Sequence, residues 1–125
     1  MKGKTVGFLG AGNMAGALIK GLIHSGALEP SAIVASDVKA ERLSQLAAAH
    51  GIRTTSDNHE LVRGCDVLVL AVKPQVIDKV LTAIAGDVKP KQLVISVAAG
   101  VPIAGIEARL PAATHVVRSM PNTPA

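Results

Sequence analysis

A short apolar run, Thr5-Val6-Gly7-Phe8-Leu9, stops at Gly10-Ala11-Gly12 and gives way at once to a helical pattern. No other feature constrains the fold as tightly. The run's length, β-branched content and glycine stop suggest a buried strand. After it, Leu18, Ile19, Leu22 and Ile23 recur at helical spacing within a helix read over Ala15 to Ile23. Asn13 is placed to cap that helix and Gly26 to stop it. Gly10, Gly12 and Ala15 thus spell G-x-G-x-x-A on a strand–turn–helix corner. Gly10 permits the tight turn out of the strand. Gly12 has no Cβ, so a pyrophosphate can approach the backbone, and Ala15, with Gly16 beside it, lets the helix lie against a sheet. The first amides of the helix and the positive end of its dipole then face the phosphates. Alone, such a pattern is weak, and a glycine-rich turn kept only for packing competes with it. Its place inside a strand–helix–strand unit favours the dinucleotide.

The rest of the chain repeats the alternation. Strands are expected at Ala32-Ile33-Val34-Ala35, Ile52-Arg53-Thr54, Val67 to Val72, Leu93 to Val97 and His115 to Arg118. Helices are expected over Glu41 to His50, Asn58 to Arg63, from Pro74 through Ile84, and Ile103 to Leu110. Pro74 suits a first helical position because its missing N–H costs nothing there. Strands alternating with helices predict an α/β fold: a Rossmann-like, doubly wound, mostly parallel sheet of about six strands with helices on both faces. The 125 residues suffice for one domain and a sizeable core. The sequence stops straight after a strand, at Asn122-Thr123-Pro124-Ala125, which reads as a cut at a domain boundary or as the natural end.

Composition removes other functions. The net charge of +4 is modest and its cations are scattered. With Phe8 the only aromatic residue, no stacking platform for single-stranded nucleic acid can form. Nothing approaches the roughly 18 apolar residues of a spanning helix, so the protein is read as soluble and cytoplasmic. Cys65 excludes an internal disulfide and reads as a core residue. His24, His50, His59 and His115 share no ligand spacing, so no metal is expected.

Ligands of open α/β sheets bind beyond the carboxyl ends of the strands. After the second strand come Ser36 and Asp37. A carboxylate there can accept both ribose hydroxyls of NAD and repel the extra phosphate of NADP, while Lys39 and Arg42 offset that repulsion. Alternatively, Asp37 caps the following helix. At the other strand ends stand Ala71-Val72-Lys73-Pro74 and Ala98-Ala99-Gly100. Lys73 can donate to a ribose hydroxyl or a carboxylate, or it is a solvated cation before a helix. No residue is identified as the catalytic proton donor.

Five segments together resemble the N-terminal half of the pyrroline-5-carboxylate reductases: Gly7 to Met14, Ala35-Ser36-Asp37, Ala71 to Pro74, Ser96 to Val101, and Arg118-Ser119-Met120-Pro121-Asn122-Thr123-Pro124-Ala125. The last is the most diagnostic. The resemblance implies hydride transfer from reduced NADP or NAD to the C=N bond of 1-pyrroline-5-carboxylate, giving proline, with no metal. It implies that Leu9, Gly10, Ala11, Gly12, Asn13 and Met14 hold the pyrophosphate and that Ser36, Asp37 and Asn58 meet the adenosine side. Ala71, Val72, Lys73, Pro74, Ala98, Ala99 and Gly100 would line the cofactor, with Asn122 and Thr123 near the substrate. It further implies that residues 1–125 are the dinucleotide-binding domain. A helical domain beyond them would pair subunits into a homo-oligomer and complete the substrate site. A β-hydroxyacid dehydrogenase, a deazaflavin-dependent NADP reductase and a non-catalytic dinucleotide sensor are the alternatives.

Overall fold

Alternating apolar residues in each strand send side chains to opposite faces of a sheet, and helices then cover both faces. A computed structural model shows this arrangement and describes residues 3–97, 103–111 and 114–118. Its strands are β1 (Val6–Leu9), β2 (Ile33–Ser36), β3 (Arg53–Thr55), β4 (Val67–Leu70), β5 (Leu93–Ser96) and β6 (His115–Arg118). They form one parallel sheet in the order β3-β2-β1-β4-β5-β6. The helices are α1 (Asn13–His24), α2 (Ala40–His50), α3 (Asn58–Gly64), α4 (Pro74–Ile84) and α5 (Ile103–Glu107).

The core has two halves, one on each face. Val6, Phe8, Ile33, Ala35, Val67 and Val69 point towards Ala15 and Ile19 of α1 and Leu43 and Leu46 of α2. Their strand neighbours Leu9, Val34, Leu68 and Leu70 pack with Leu61 and Val62 of α3, Ile77 and Leu81 of α4, and Ile106 of α5. Gly7 belongs to the second face. A Cβ there would stand 2.5 Å from Leu61 Cδ2 and 2.7 Å from Cys65 Sγ, so α3 lies directly on β1. Gln92, buried before β5, locks the end of α3: its amide nitrogen donates to the carbonyls of Val62 (2.5 Å) and Cys65 (2.7 Å), and its oxygen accepts from the Lys89 amide.

The doubly wound, parallel α/β expectation holds, with local corrections. Asn13 does not cap α1; it is the first helical residue, and Gly12 occupies the cap with no side-chain bond. β2 runs to Ser36 because its register with β1 pairs Ser36 with Leu9. β4 stops at Leu70, although the apolar run continues, because its neighbour β1 ends opposite that residue. α5 ends at Glu107 and tightens into a turn, with the amide of Leu110 bonded to the carbonyl of Glu107 ahead of Pro111. Among the described residues, no helix is long and apolar enough to cross a membrane.

Candidate functional site

β1 is where the sheet changes direction. The connection through α1 leads to β2 on one side, while β4 lies on the other. Such a switch point opens a crevice at the carboxyl ends of the strands. Here it is a cleft of about 900 Å³. The Gly10 amide donates to Ser36 O and the Ala71 amide to Leu9 O, both at 2.9 Å, so the three strand ends are tied edge to edge beneath it. Leu9 to Met14, Ser36, Asp37, Asn58 and Ala71 to Pro74 all line this one cleft. Ala98, Ala99, Gly100, Asn122 and Thr123 lie outside the described residues.

The two glycines of the turn do different work. Gly10 has φ +110°, and a Cβ there would meet Ala71 O at 2.7 Å and Ala71 C at 2.8 Å. It lets the chain turn while hugging β4. Gly12 has an ordinary φ of −82°, and the nearest atom to its absent Cβ is Arg42 Nη1 at 3.8 Å. Its bare side is therefore open to the cleft. The first bond of α1 runs from the Gly16 amide to Gly12 O, at 3.0 Å. The amides of Asn13, Met14 and Ala15 precede it and have no partner among the described residues. Unpaired amides at a helix start, beside a residue with no Cβ, fit a phosphate group. Ala15 is fully buried, as its packing role requires.

Asp37 is neither a free carboxylate nor the cap of α2, a place Lys39 takes. Its Oδ2 accepts from the Ala11 amide and its Oδ1 from the Lys39 amide, both at 2.9 Å. Arg42 Nη1 stands 3.6 Å from Oδ2. Burial pushes the Asp37 carboxyl up, but the Lys39 and Ala11 amides and the Arg42 charge together outweigh it and hold the group below its ordinary value. Asp37 thus ties the loop after β2 to the glycine turn. Nearby, Ser36 Oγ donates to Asn58 Oδ1 at 2.5 Å, anchoring the start of α3 against the end of β2. Asp57 caps α3, accepting from the His59 and Glu60 amides.

Lys73 is exposed at the cap of α4 on the far wall of the cleft and makes no ion pair among the described residues. Val38, Gln45, Ser56 and Val97 also line the cleft, although the sequence did not single them out. Gln45 had a signal, since it lies three residues beyond Arg42 and so on the same helical face. Cys65 lies beneath β1, away from the cleft, and burial pushes its thiol up to about 11. Among the described residues, no group of three or more His, Cys, Asp or Glu is placed to hold a metal ion.

Residues 5–100 match the family described as NADP oxidoreductase, coenzyme F420-dependent. A pyrroline-5-carboxylate reductase of Methanosarcina acetivorans is 46% identical over 122 residues, covering 98% of this chain and 45% of that protein. A solved pyrroline-5-carboxylate reductase of Coxiella burnetii superposes with a TM-score of 0.86 at 39% identity, over 97% of this chain and 45% of the other. A pyrroline carboxylate reductase of Plasmodium falciparum, solved with NADP bound, gives 0.81 at 26% identity, over 94% and 42%. The chain spans less than half the length of the relatives it matches. The resemblance noted in the five sequence segments is thereby borne out.

Proposed function

Since the chain belongs to the coenzyme F420-dependent NADP oxidoreductase family, we propose that it is the dinucleotide-binding part of an enzyme that reduces the C=N bond of 1-pyrroline-5-carboxylate to proline. One observation carries the reading: unpaired amides of α1 beside the bare side of Gly12, at the floor of a cleft where the sheet reverses direction. The 40–47% identity to relatives named for this reaction supports the substrate.

The residues divide the work by position. Gly12, Asn13 and Met14 hold the pyrophosphate through backbone amides. Ser36, Asp37 and Asn58 form the adenosine end. Ala71 to Pro74 carry the nicotinamide end along the strand tips; the resemblance to the reductases assigns Ala98, Ala99 and Gly100 to the cofactor and Asn122 and Thr123 to the substrate. Lys73 supplies positive charge at that end for the substrate carboxylate. A reduced nicotinamide held there would supply the hydride that the imine carbon accepts, the C=N electron pair going to the nitrogen. Protonation of that nitrogen beforehand makes the carbon a better acceptor, and holding the reacting carbons near contact supplies much of the rate. In this reading a helical domain beyond residue 125 pairs subunits and completes the substrate site, and the enzyme works in the cytoplasm.

The test is turnover of 1-pyrroline-5-carboxylate with NADH and with NADPH by the whole protein, alongside cofactor titration of residues 1–125. Expected are turnover by the former and binding by both. The family's description supports one rival, hydride exchange with coenzyme F420. Turnover of that acceptor without turnover of the imine overturns the proposal.

A further inference from the structure

We propose that the β3 edge of the sheet carries a second small-molecule site, a cavity between β3 and α3 that takes a small α-amino acid in its zwitterionic form. The cavity measures about 150 Å³ and shares no lining residue with the dinucleotide cleft. A water takes about 30 Å³ in the liquid, so there is room for roughly five waters or for a molecule of similar heavy-atom count.

Strand register builds the cavity. Val34 pairs with Arg53 and Ser36 with Thr55, so Arg53 and Thr55 turn to the same face of the sheet as Val34, the face that α3 covers. Leu61 and Cys65 close the floor. They are 2% and 6% exposed, and both would press against a Cβ at Gly7. Gly64, the last residue of α3, opens the wall, since a Cβ built there meets nothing within 4 Å. β3 is an edge strand, and exposed Arg53 and Glu60 stand at the mouth.

The mouth therefore holds one charge of each sign. Arg53 comes from β3 and Glu60 from α3. They do not pair with each other, and neither makes an ion pair among the described residues. The Arg53 charge reaches the cavity floor: burial pushes the Cys65 thiol up, and the guanidinium opposes that rise. One Glu60 oxygen accepts from Thr55 Oγ1 at 3.5 Å, and Thr55 Oγ1 accepts from the Asp57 amide at 3.1 Å. The carboxylate is thus oriented while its other oxygen stays free of partners among the described residues. A simple anion would meet Arg53 but be repelled by Glu60, and a simple amine would suffer the reverse. A zwitterion satisfies both. Its carboxylate takes the planar guanidinium, its ammonium takes Glu60, and a short apolar side chain enters between Val34, Leu61 and Cys65.

Titration of the isotope-labelled protein with L-alanine, followed by NMR of the backbone amides, tests the site. Saturable shifts are expected at Arg53, Gly64 and Cys65, with a Kd of roughly 1–10 mM for so small a ligand. The amides of Gly10 to Asn13 in the cleft stay in place. Propionate and ethylamine, each carrying half of the zwitterion, bind about tenfold more weakly or worse. Arg53→Gln and Glu60→Gln each weaken L-alanine about tenfold or more, while their melting temperatures stay within about 2 °C of the parent, as exposed positions allow. Gly64→Val fills the open wall and blocks L-alanine without lowering the melting temperature, because valine suits a helix at least as well as glycine. Absence of saturable shifts up to about 100 mM L-alanine overturns the proposal. So does propionate binding as tightly as L-alanine, or L-alanine binding that neither charge substitution weakens. Shifts confined to Gly10 to Asn13 place the amino acid in the dinucleotide cleft and also overturn it.

Discussion

Alanine placed at Gly10 and at Gly12 should separate stability from binding within a single turn. At Gly10 the residue must keep φ +110°, and its methyl carbon would lie 2.7 Å and 2.8 Å from the Ala71 carbonyl. That carbonyl cannot retreat easily, because the neighbouring Ala71 amide is bonded to Leu9 O at 2.9 Å. Backbone strain of this kind costs on the order of 1–3 kcal/mol, and forced overpacking about as much again. Together they give roughly 2–6 kcal/mol. For a domain of this size each kcal/mol moves Tm by about 4 °C, so Gly10→Ala should melt about 8–24 °C lower. At Gly12 the φ is −82° and the nearest atom is 3.8 Å away. Only a modest helix-cap preference is lost there, under about 1 kcal/mol. Gly12→Ala should melt within about 4 °C of the parent yet lose dinucleotide affinity about tenfold or more, the methyl standing where the phosphates approach. Far-UV circular dichroism follows the melts. The fluorescence of NADH itself follows binding, against no background from Trp or Tyr, which the chain lacks. A Gly10→Ala protein as stable as the parent would refute the steric argument. A Gly12→Ala protein that binds normally would refute the assignment of its bare side to the cofactor.

Three further outcomes are expected. Asp57→Ala removes the cap of α3 and should cost about 1 kcal/mol, measured by denaturant titration; no change would mean the bonds to His59 and Glu60 contribute nothing. Gln92→Leu leaves two buried carbonyls and the Lys89 amide without their partner, and should cost on the order of 3 kcal/mol in the same assay. Cys65 gives a pH dependence: its folded value is raised to about 11 from an ordinary 9.0. The unfolded chain releases that proton first, so the stabilising contribution is complete below pH 9 and is lost as pH rises towards 11. Denaturant midpoints from pH 8 to 11 should fall less steeply in Cys65→Ala than in the parent.

Much of this was written in local patterns. The buried strands β1, β2, β4 and β5 announce themselves as apolar runs, and Gly10-Ala11-Gly12 fixes where the first one ends. The glycine spacing also located the cleft, since a strand tip followed by a helix start can form only at one edge of a parallel sheet. What escaped depends on contacts distant in sequence. Asp37 read as a ribose acceptor or a helix cap because its bond to the Ala11 amide spans 26 positions and leaves no trace in spacing. Gln92 carries no local signal of its role, because its carbonyl partners lie 27 and 30 positions away. Asn13 was credited with capping because its residue type favours that role, whereas the backbone gave the place to Gly12. Strand ends shifted because a neighbour's length, not the apolar run itself, decides where pairing stops.

The central place of β1 has a consequence for synthesis. Val6 to Leu9 leave the ribosome long before their partners, and one flank can pair once Ile33 to Ser36 emerge. The other flank waits for Val67 to Leu70. At roughly 5–20 residues per second, that interval lasts about 3–12 s. Throughout it an apolar nascent strand offers an open row of amides and carbonyls to any passing polypeptide. A pause in translation between Ser36 and Val67 should therefore raise aggregation, and the same pause after Leu70 has cleared the exit tunnel should not.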